Sequence, residues 1–456
     1  MRSNILRWRK VGGRILLVSD SGAWIFLDPL EFEGFMADEI SHGLHSKLKA
    51  NRIILDQDNE SAEIAAYKAK KDFVRQGTSL HIMIPTLRCN QRCVYCHASS
   101  RPMDAKGVDM DKDTANKAIE FILQSPAGSI EIEFQGGEPL VDFGMVKHIC
   151  KTAKVAALET GKMIRFSMTS NLLLMDQEKL DFLIDHDVAV CTSLDGPRDV
   201  HDKSRGHYDE LISKIHFVNS VYQQKGLPNR LGALFTLTRT ALSCPKDIID
   251  EYIRLGMDQI HIRWLNPLGS AQDAFDEVGC TPQEYIEFWK ASMEYILEKN
   301  RTGTRFIERQ ARIMLHKILR STDPNYLEMR SPCGAVTGQL AYGPDGKIYT
   351  CDEGRMIGEG LFCVGDAKMD SYKEVLESPT SLSMINASIT DSLFCDTCAY
   401  KPWCGVCPVM NYAEQGSLIG DIVNTPRHKI FLAQFDWIFM RLQIEEDAQI
   451  LRSWVN

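Results

Sequence analysis

Between residues 80 and 269 the chain alternates two hydrophobic rhythms. Ile130, Ile132 and Phe134 alternate with Glu131 and Glu133, the period-two pattern of a strand. Leu80–Ile84, 165–171, 188–194, 232–238 and 259–267 carry related apolar runs. Between them lie segments of helical period, such as Ala115, Ala118, Ile119, Ile122 and Leu123, which Asp113 or Thr114 can cap. Six strand–helix units predict an α/β fold with a parallel sheet, a partial (β/α)6 barrel open on one side. Its ligands should sit at the carboxyl ends of the strands.

The flanks read differently. Arg14–Asp20, a Ser21-Gly22 turn and Ala23–Asp28 predict an N-terminal hairpin, followed by a helix from Pro29 to Ile40. Residues 281–330 read as helices, starting at Thr281-Pro282-Gln283-Glu284. A second hairpin turns at Pro344-Asp345-Gly346-Lys347 and should bring Cys333 and Cys351 together, and 429–439 is amphipathic. The expected divisions are 1–78, a peptide-binding-like region; 79–310, the barrel; 311–330, a helical bridge; 331–430, a cysteine-rich domain; and 431–456, a terminal helix.

At 456 residues, 44% hydrophobic and 25% charged, the chain can bury a full core without disulfides. A net charge of −9 argues against nucleic acid or an anionic membrane as partner. With neither a secretory start nor an apolar run of membrane-spanning length, the expected location is cytoplasmic. The 14 cysteines are clustered, which points to metal rather than a disulfide scaffold. Cys150, Cys191, Cys244 and Cys280 stand alone and should be buried small hydrophobes.

Cys89, Cys93 and Cys96 follow the first barrel strand in C-x3-C-x2-C spacing. Three thiolates can hold three irons of a [4Fe–4S] cube and leave the fourth open. With Tyr95 before the last cysteine, the stretch resembles the signature of radical S-adenosylmethionine (SAM) enzymes. That resemblance implies a cluster whose open iron binds SAM and cleaves it to a 5′-deoxyadenosyl radical. It also makes Gly136, Gly137, Glu138 and Pro139 the SAM amino-group motif and puts Ser170 and Asn171 near the ribose or its loop. The Ser193-x-Asp195-Gly196-Pro197…Arg205 stretch resembles the maturase branch, with Ser193 and Arg205 as SAM contacts. Asp195 reads as a turn residue.

The later cysteines, Cys333-x12-Gly346-x4-Cys351 and then Cys395-x2-Cys398-x5-Cys404-x2-Cys407, fit zinc in general terms. They resemble the SPASM extension of radical SAM peptide maturases, which carries auxiliary [4Fe–4S] clusters. The resemblance implies Cys333, Cys351 and Cys407 on one cluster and Cys395, Cys398 and Cys404 on the other. The spacing of the last pair departs from the family pattern, and no cysteine follows Cys407. The second cluster would then take His428, Asp421 or another ligand, or keep three cysteines. Cys363 reads as incidental, and Asp352 lies where related sulfatase-maturing enzymes place an acidic base.

The expected function is hydrogen abstraction from a ribosomally made precursor peptide, giving a cross-link or other two-electron oxidation, with flavodoxin or ferredoxin as electron donor. The N-terminal region resembles, loosely, the winged-helix element that binds leader peptides by strand addition. The nearest branch by resemblance is the maturases of His-Xaa-Ser peptide systems. The alternatives are a sulfatase-type formylglycine maturase and a non-catalytic, zinc-stabilised peptide-binding module.

Overall fold

A computed structural model describes residues 2–455 apart from 321, 325, 326, 359 and 392. The chain opens with an antiparallel meander, β1 (Leu6–Val11), β2 (Arg14–Ser19) and β3 (Trp24–Leu27), in that order. The expected hairpin is β2–β3; β1 is an addition. Its Arg7 pairs with Asp20 at 2.5 Å and its Arg9 with Asp436 at 2.6 and 2.7 Å. The following helix, Pro29–Met36, stops short of Ile40 because Asp38 turns left-handed at φ 58°. Leu17, Ile25 and Leu27 pack on Leu44, Leu48, Ile53 and Ile54, while Leu16, Val18 and Phe26 on the opposite face join the main core.

The barrel strands are β4 (Leu80–Met83), β5 (Ser129–Phe134), β6 (Met163–Ser170), β7 (Val188–Ser193), β8 (Gly232–Thr236) and β9 (Ile262–Arg263). All run parallel in chain order. The expected sixth strand is split: Gln259–Ile260 turns aside to pair with Ile307–Glu308, and only Ile262–Arg263 stays on β8. The helix Lys112–Ile122 is capped two to three residues earlier than expected, by the Asp111 carboxylate accepting from the Thr114 N–H at 2.7 Å. Helix Pro282–Arg301 has the expected start, with Thr281 and Glu284 satisfying each other's backbone N–H. Of the four isolated cysteines, Cys150 and Cys280 are buried; Cys191 and Cys244 are only half-buried, and Cys191 faces the barrel cavity.

The sheet does not end at the barrel. β10 (Gln339–Tyr342) lies parallel to β4, from Gln339 beside Leu80 to Tyr342 beside Met83, and β11 (Lys347–Tyr349) and β12 (Cys363–Asp366) continue it antiparallel. Nine strands form one sheet in the order β9-β8-β7-β6-β5-β4-β10-β11-β12. The seam is bonded by side chains: Thr78 Oγ1 donates to the Val336 carbonyl at 2.7 Å, and Tyr342 Oη lies 2.8 Å from His81 Nδ1. Helix Pro426–Arg441 ties the ends together, with Trp437 edge-on to Trp289 at 5.4 Å and Asp436 on Arg9. Among the described residues no helix is long and apolar enough to cross a membrane.

His81 is fully buried, donates through Nε2 to the Thr78 carbonyl at 3.2 Å and accepts from Tyr342. Burial pulls its ring down to about 3. The folded value lies below that of an unfolded histidine, so the stabilisation is complete above roughly pH 6.5 and is lost as pH falls toward the folded value. Denaturant titrations should show His81→Gln with a shallower acid-side loss than the parent, by roughly 1.4 kcal/mol per pH unit. Equal slopes would remove His81 from the seam's energetics.

Candidate active site

The cysteine loop leaves the carboxyl end of β4 and is fastened on three sides. The Cys89 N–H donates to the Arg101 carbonyl (2.9 Å), the Val94 N–H to Ser204 (3.0 Å), and the Ser270 N–H to the Cys96 carbonyl (2.9 Å). Cys89, Cys93 and Cys96 all open onto one cavity of about 1160 Å3 inside the open barrel. Burial pushes the Cys89 thiol up to about 12 and raises Cys93, so their thiolates require compensating positive charge or metal.

Gly136 and Gly137 follow β5 and press on the backbone of this loop. Gly136 adopts φ 128°, and a Cβ on Gly137 would lie 2.2 Å from the Arg88 carbonyl oxygen and 2.4 Å from that of Leu87. The Gly137 and Glu138 N–H groups donate to the Thr86 (3.0 Å) and Arg88 (2.9 Å) carbonyls. Glu138 is buried. Its carboxylate accepts from the Leu140 N–H (3.0 Å), Ser170 Oγ (2.8 Å) and the Asn171 N–H (2.7 Å), and burial raises it. Pro139 is buried at the start of a short 3-10 turn. Asn171 Nδ2 in turn donates to Asn90 Oδ1 at 2.9 Å, so the end of β6 holds the cysteine loop.

A second fastening was not legible as such in the sequence. Asp195, expected to be a turn residue, is wholly buried. Its carboxylate accepts from the Tyr95 hydroxyl, from Arg205 Nε at 2.9 Å and from the Thr236 N–H at 3.3 Å. Arg205 also stacks over the Tyr95 ring, 4.9 Å from its centroid, and its charge reaches Cys93. Burial works against that charge, but Asp195, Tyr95 and Cys93 hold it in place. Ser193, at the end of β7, lines the same cavity.

The cavity wall is more polar than the strand pattern suggests. Glu131 and Glu133, which alternate with apolar residues as a solvent-facing row would, point into the open barrel with Thr169, His261, Arg263 and Arg309. Glu133 accepts from Gln135 Nε2 (2.8 Å) and Thr169 Oγ1 (3.2 Å), and burial raises it. Asp352 opens the helix Asp352–Ile357 on the same cavity, gripped by Arg355 through Nη2 at 2.8 Å and Nε at 3.1 Å. Beside it, burial together with Glu328 and Asp352 pushes Glu353 up to about 7.

The far cysteines form two groups. Cys333 and Cys351 are buried in one apolar cluster, with Cys407 against it, and each is within electrostatic reach of the others. Cys395, Cys398 and Cys404 line one pocket and influence one another likewise. His428 lies on that pocket and Asp421 does not; Cys363 sits on β12 with its thiol toward the Gly365 carbonyl at 3.5 Å. Among the described residues, no three such side chains close on a single-ion site.

Residues 83–218 match the Radical SAM superfamily. The matched segment carries the cysteine loop and strands β5 to β7. It is 24% identical over 340 residues to the cysteine-type anaerobic sulfatase-maturating enzyme of Clostridium perfringens strain 13, covering 72% of this chain and 87% of that protein. An uncharacterized protein of Methanocaldococcus jannaschii is 26% identical over 186 residues, 41% of this chain, which spans only 62% of that protein's length. In fold the chain resembles anSMEcpe with bound AdoMet, with a TM-score of 0.68 at 19% identity, covering 81% of this chain and 100% of that one. It also resembles Streptococcus suis SuiB bound to the precursor peptide SuiA, with a TM-score of 0.57 at 14% identity, covering 92% and 98%. The likeness to both is one of fold, and the anSMEcpe structure holds AdoMet. The three cysteine groups supply donors of the kind an iron–sulfur cluster takes.

Gly137→Ala should cost about 2 kcal/mol or more by overpacking the loop backbone, read from denaturant midpoints. Asp195→Asn strands the Arg205 charge and should cost about 3–5 kcal/mol, whereas Tyr95→Phe removes one hydrogen bond and should cost about 1–2 kcal/mol. Equal costs for the last two would show that Asp195 is not the anchor.

Proposed function

We propose that this enzyme oxidises a ribosomally made precursor peptide held in the barrel cavity, forming a side-chain cross-link or another two-electron product. Cys89, Cys93 and Cys96 would hold the SAM-binding cluster, which supplies a 5′-deoxyadenosyl radical when loaded and reduced. Gly136 to Pro139 shape its rim. Glu138, Ser170 and Asn171 set the loop's position, Ser193 on the cavity wall would contact the cofactor, and Arg205, immobilised by Asp195, presents a fixed cation beside Cys93 where a carboxylate can dock. Cys333, Cys351 and Cys407 would hold one auxiliary cluster, and Cys395, Cys398 and Cys404 the other. A flavodoxin- or ferredoxin-type donor fits as reductant.

The observation that carries this reading is the N-terminal meander with its helices. The anSMEcpe likeness covers 81% of the chain; that to SuiB, whose structure holds the precursor SuiA, covers 92%. Strand addition at the meander's edge would give affinity by main-chain hydrogen bonds. The sulfatase-type reading retains one supporting feature, Asp352 on the cavity wall beside the cysteine-rich module, together with the Clostridium relative.

Replacing Cys89, Cys93 and Cys96 together by Ala should abolish 5′-deoxyadenosine formation from SAM under reducing, anaerobic conditions, and persistence of that product would defeat the assignment. Co-expression with small peptides encoded beside the gene should give a product lighter by two hydrogens. A hydrazide-reactive aldehyde from Cys or Ser would select the sulfatase-type reading instead.

A further inference from the structure

A four-iron cube takes four protein ligands when it is not a substrate site, yet among the described residues the pocket holding Cys395, Cys398 and Cys404 has only these three thiols to itself. Cys407, on the same wall, belongs with Cys333 and Cys351. The pocket's remaining wall includes the first turn of helix Pro426–Arg441, which carries His428. The backbone N–H of His428 is committed to its cap, donating to Thr425 Oγ1 at 3.2 Å. Neither ring nitrogen has a hydrogen-bond partner among the described residues.

Independent placement comes from Arg9. Fixed by its two bonds to Asp436, its guanidinium is in electrostatic reach of both Cys398 and His428, which puts thiol and imidazole around one cation. The rivals are otherwise engaged. The Asp421 carboxylate accepts from Asn424 Nδ2 at 2.6 Å, away from the pocket, and Cys363 stands on β12. Glu414 does reach the pocket, but there it faces the Arg427 charge.

We propose that His428 is the fourth protein ligand of the cluster held by Cys395, Cys398 and Cys404, binding iron through a ring nitrogen. This rests on the reading of that pocket as an auxiliary iron–sulfur site. A Cys3His cube has one neutral ligand in place of a thiolate, so its reduction potential lies above that of an all-cysteine cube, as imidazole ligation does in other clusters. Full ligation leaves this cluster no open iron for substrate.

The test uses the full chain with Cys89, Cys93 and Cys96 replaced by Ala, so that only auxiliary clusters remain, grown with 15N-histidine and purified anaerobically. Iron and sulfide content with visible absorption decides whether the pocket is an iron–sulfur site at all; absence of auxiliary iron overturns the underlying reading. With iron present, pulsed electron paramagnetic resonance of the reduced protein should show strong coupling to a histidine nitrogen. His428→Cys should keep the iron, lose that coupling and lower the midpoint potential. An iron-loaded parent without nitrogen coupling, or coupling that survives His428→Cys, overturns the assignment of His428 while leaving the auxiliary site intact.

Discussion

The contact on which the rest of the structure depends is backbone against backbone: Gly136-Gly137 lying on Thr86–Arg88. Peptide groups set most of its geometry, with the Ile84 side chain also against Gly136, and a Cβ on either glycine would force the two loops apart. This fixes the cysteine loop relative to β5, and Glu138 carries the constraint to β6 through Ser170 and Asn171. Asp195 does the same on the opposite flank, collecting Tyr95, Arg205 and the last residue of β8. The cysteines are thus held between two anchors that both lie at carboxyl ends of strands, where parallel α/β sheets place their ligands.

Much of this was legible locally. Strand alternation, glycines at a strand end and the C-x3-C-x2-C spacing are short-range signals, and they led to the barrel strands and to the loop. What escaped was decided at long range. Arg9 looks like an unpaired surface charge because the carboxylate that pairs with it, Asp436, lies 427 residues away. Glu131 and Glu133 look like an outer face because a sequence cannot show that the inside of an open barrel is wet. Asp195 sits in a turn tripeptide, and only the fold brings Tyr95 from 100 residues upstream to its carboxylate. The ordinary pattern was right about the backbone and silent about the charge.

The two chemical halves of the molecule are linked by the same economy. The cavity reaches from Cys89, Cys93 and Cys96 to Asp352, Glu353 and Met356, so the residues beside Cys351 share walls with the first cysteine loop. A substrate in that space would meet both without leaving the barrel, under a polar lining of mixed sign that can hold a peptide's main chain without fixing on one side chain.

The nine-stranded sheet bears on how such enzymes can be recombined. Because β10 pairs with β4, the cysteine-rich half is not a cassette hung on the barrel by a linker: it supplies the edge that β4, the strand feeding the cysteine loop, would otherwise leave exposed. A chimera that exchanges the region after residue 330 must therefore bring a strand matching Leu80–Met83 and a tyrosine for His81. In this architecture the far cysteines are inherited together with the barrel's own edge.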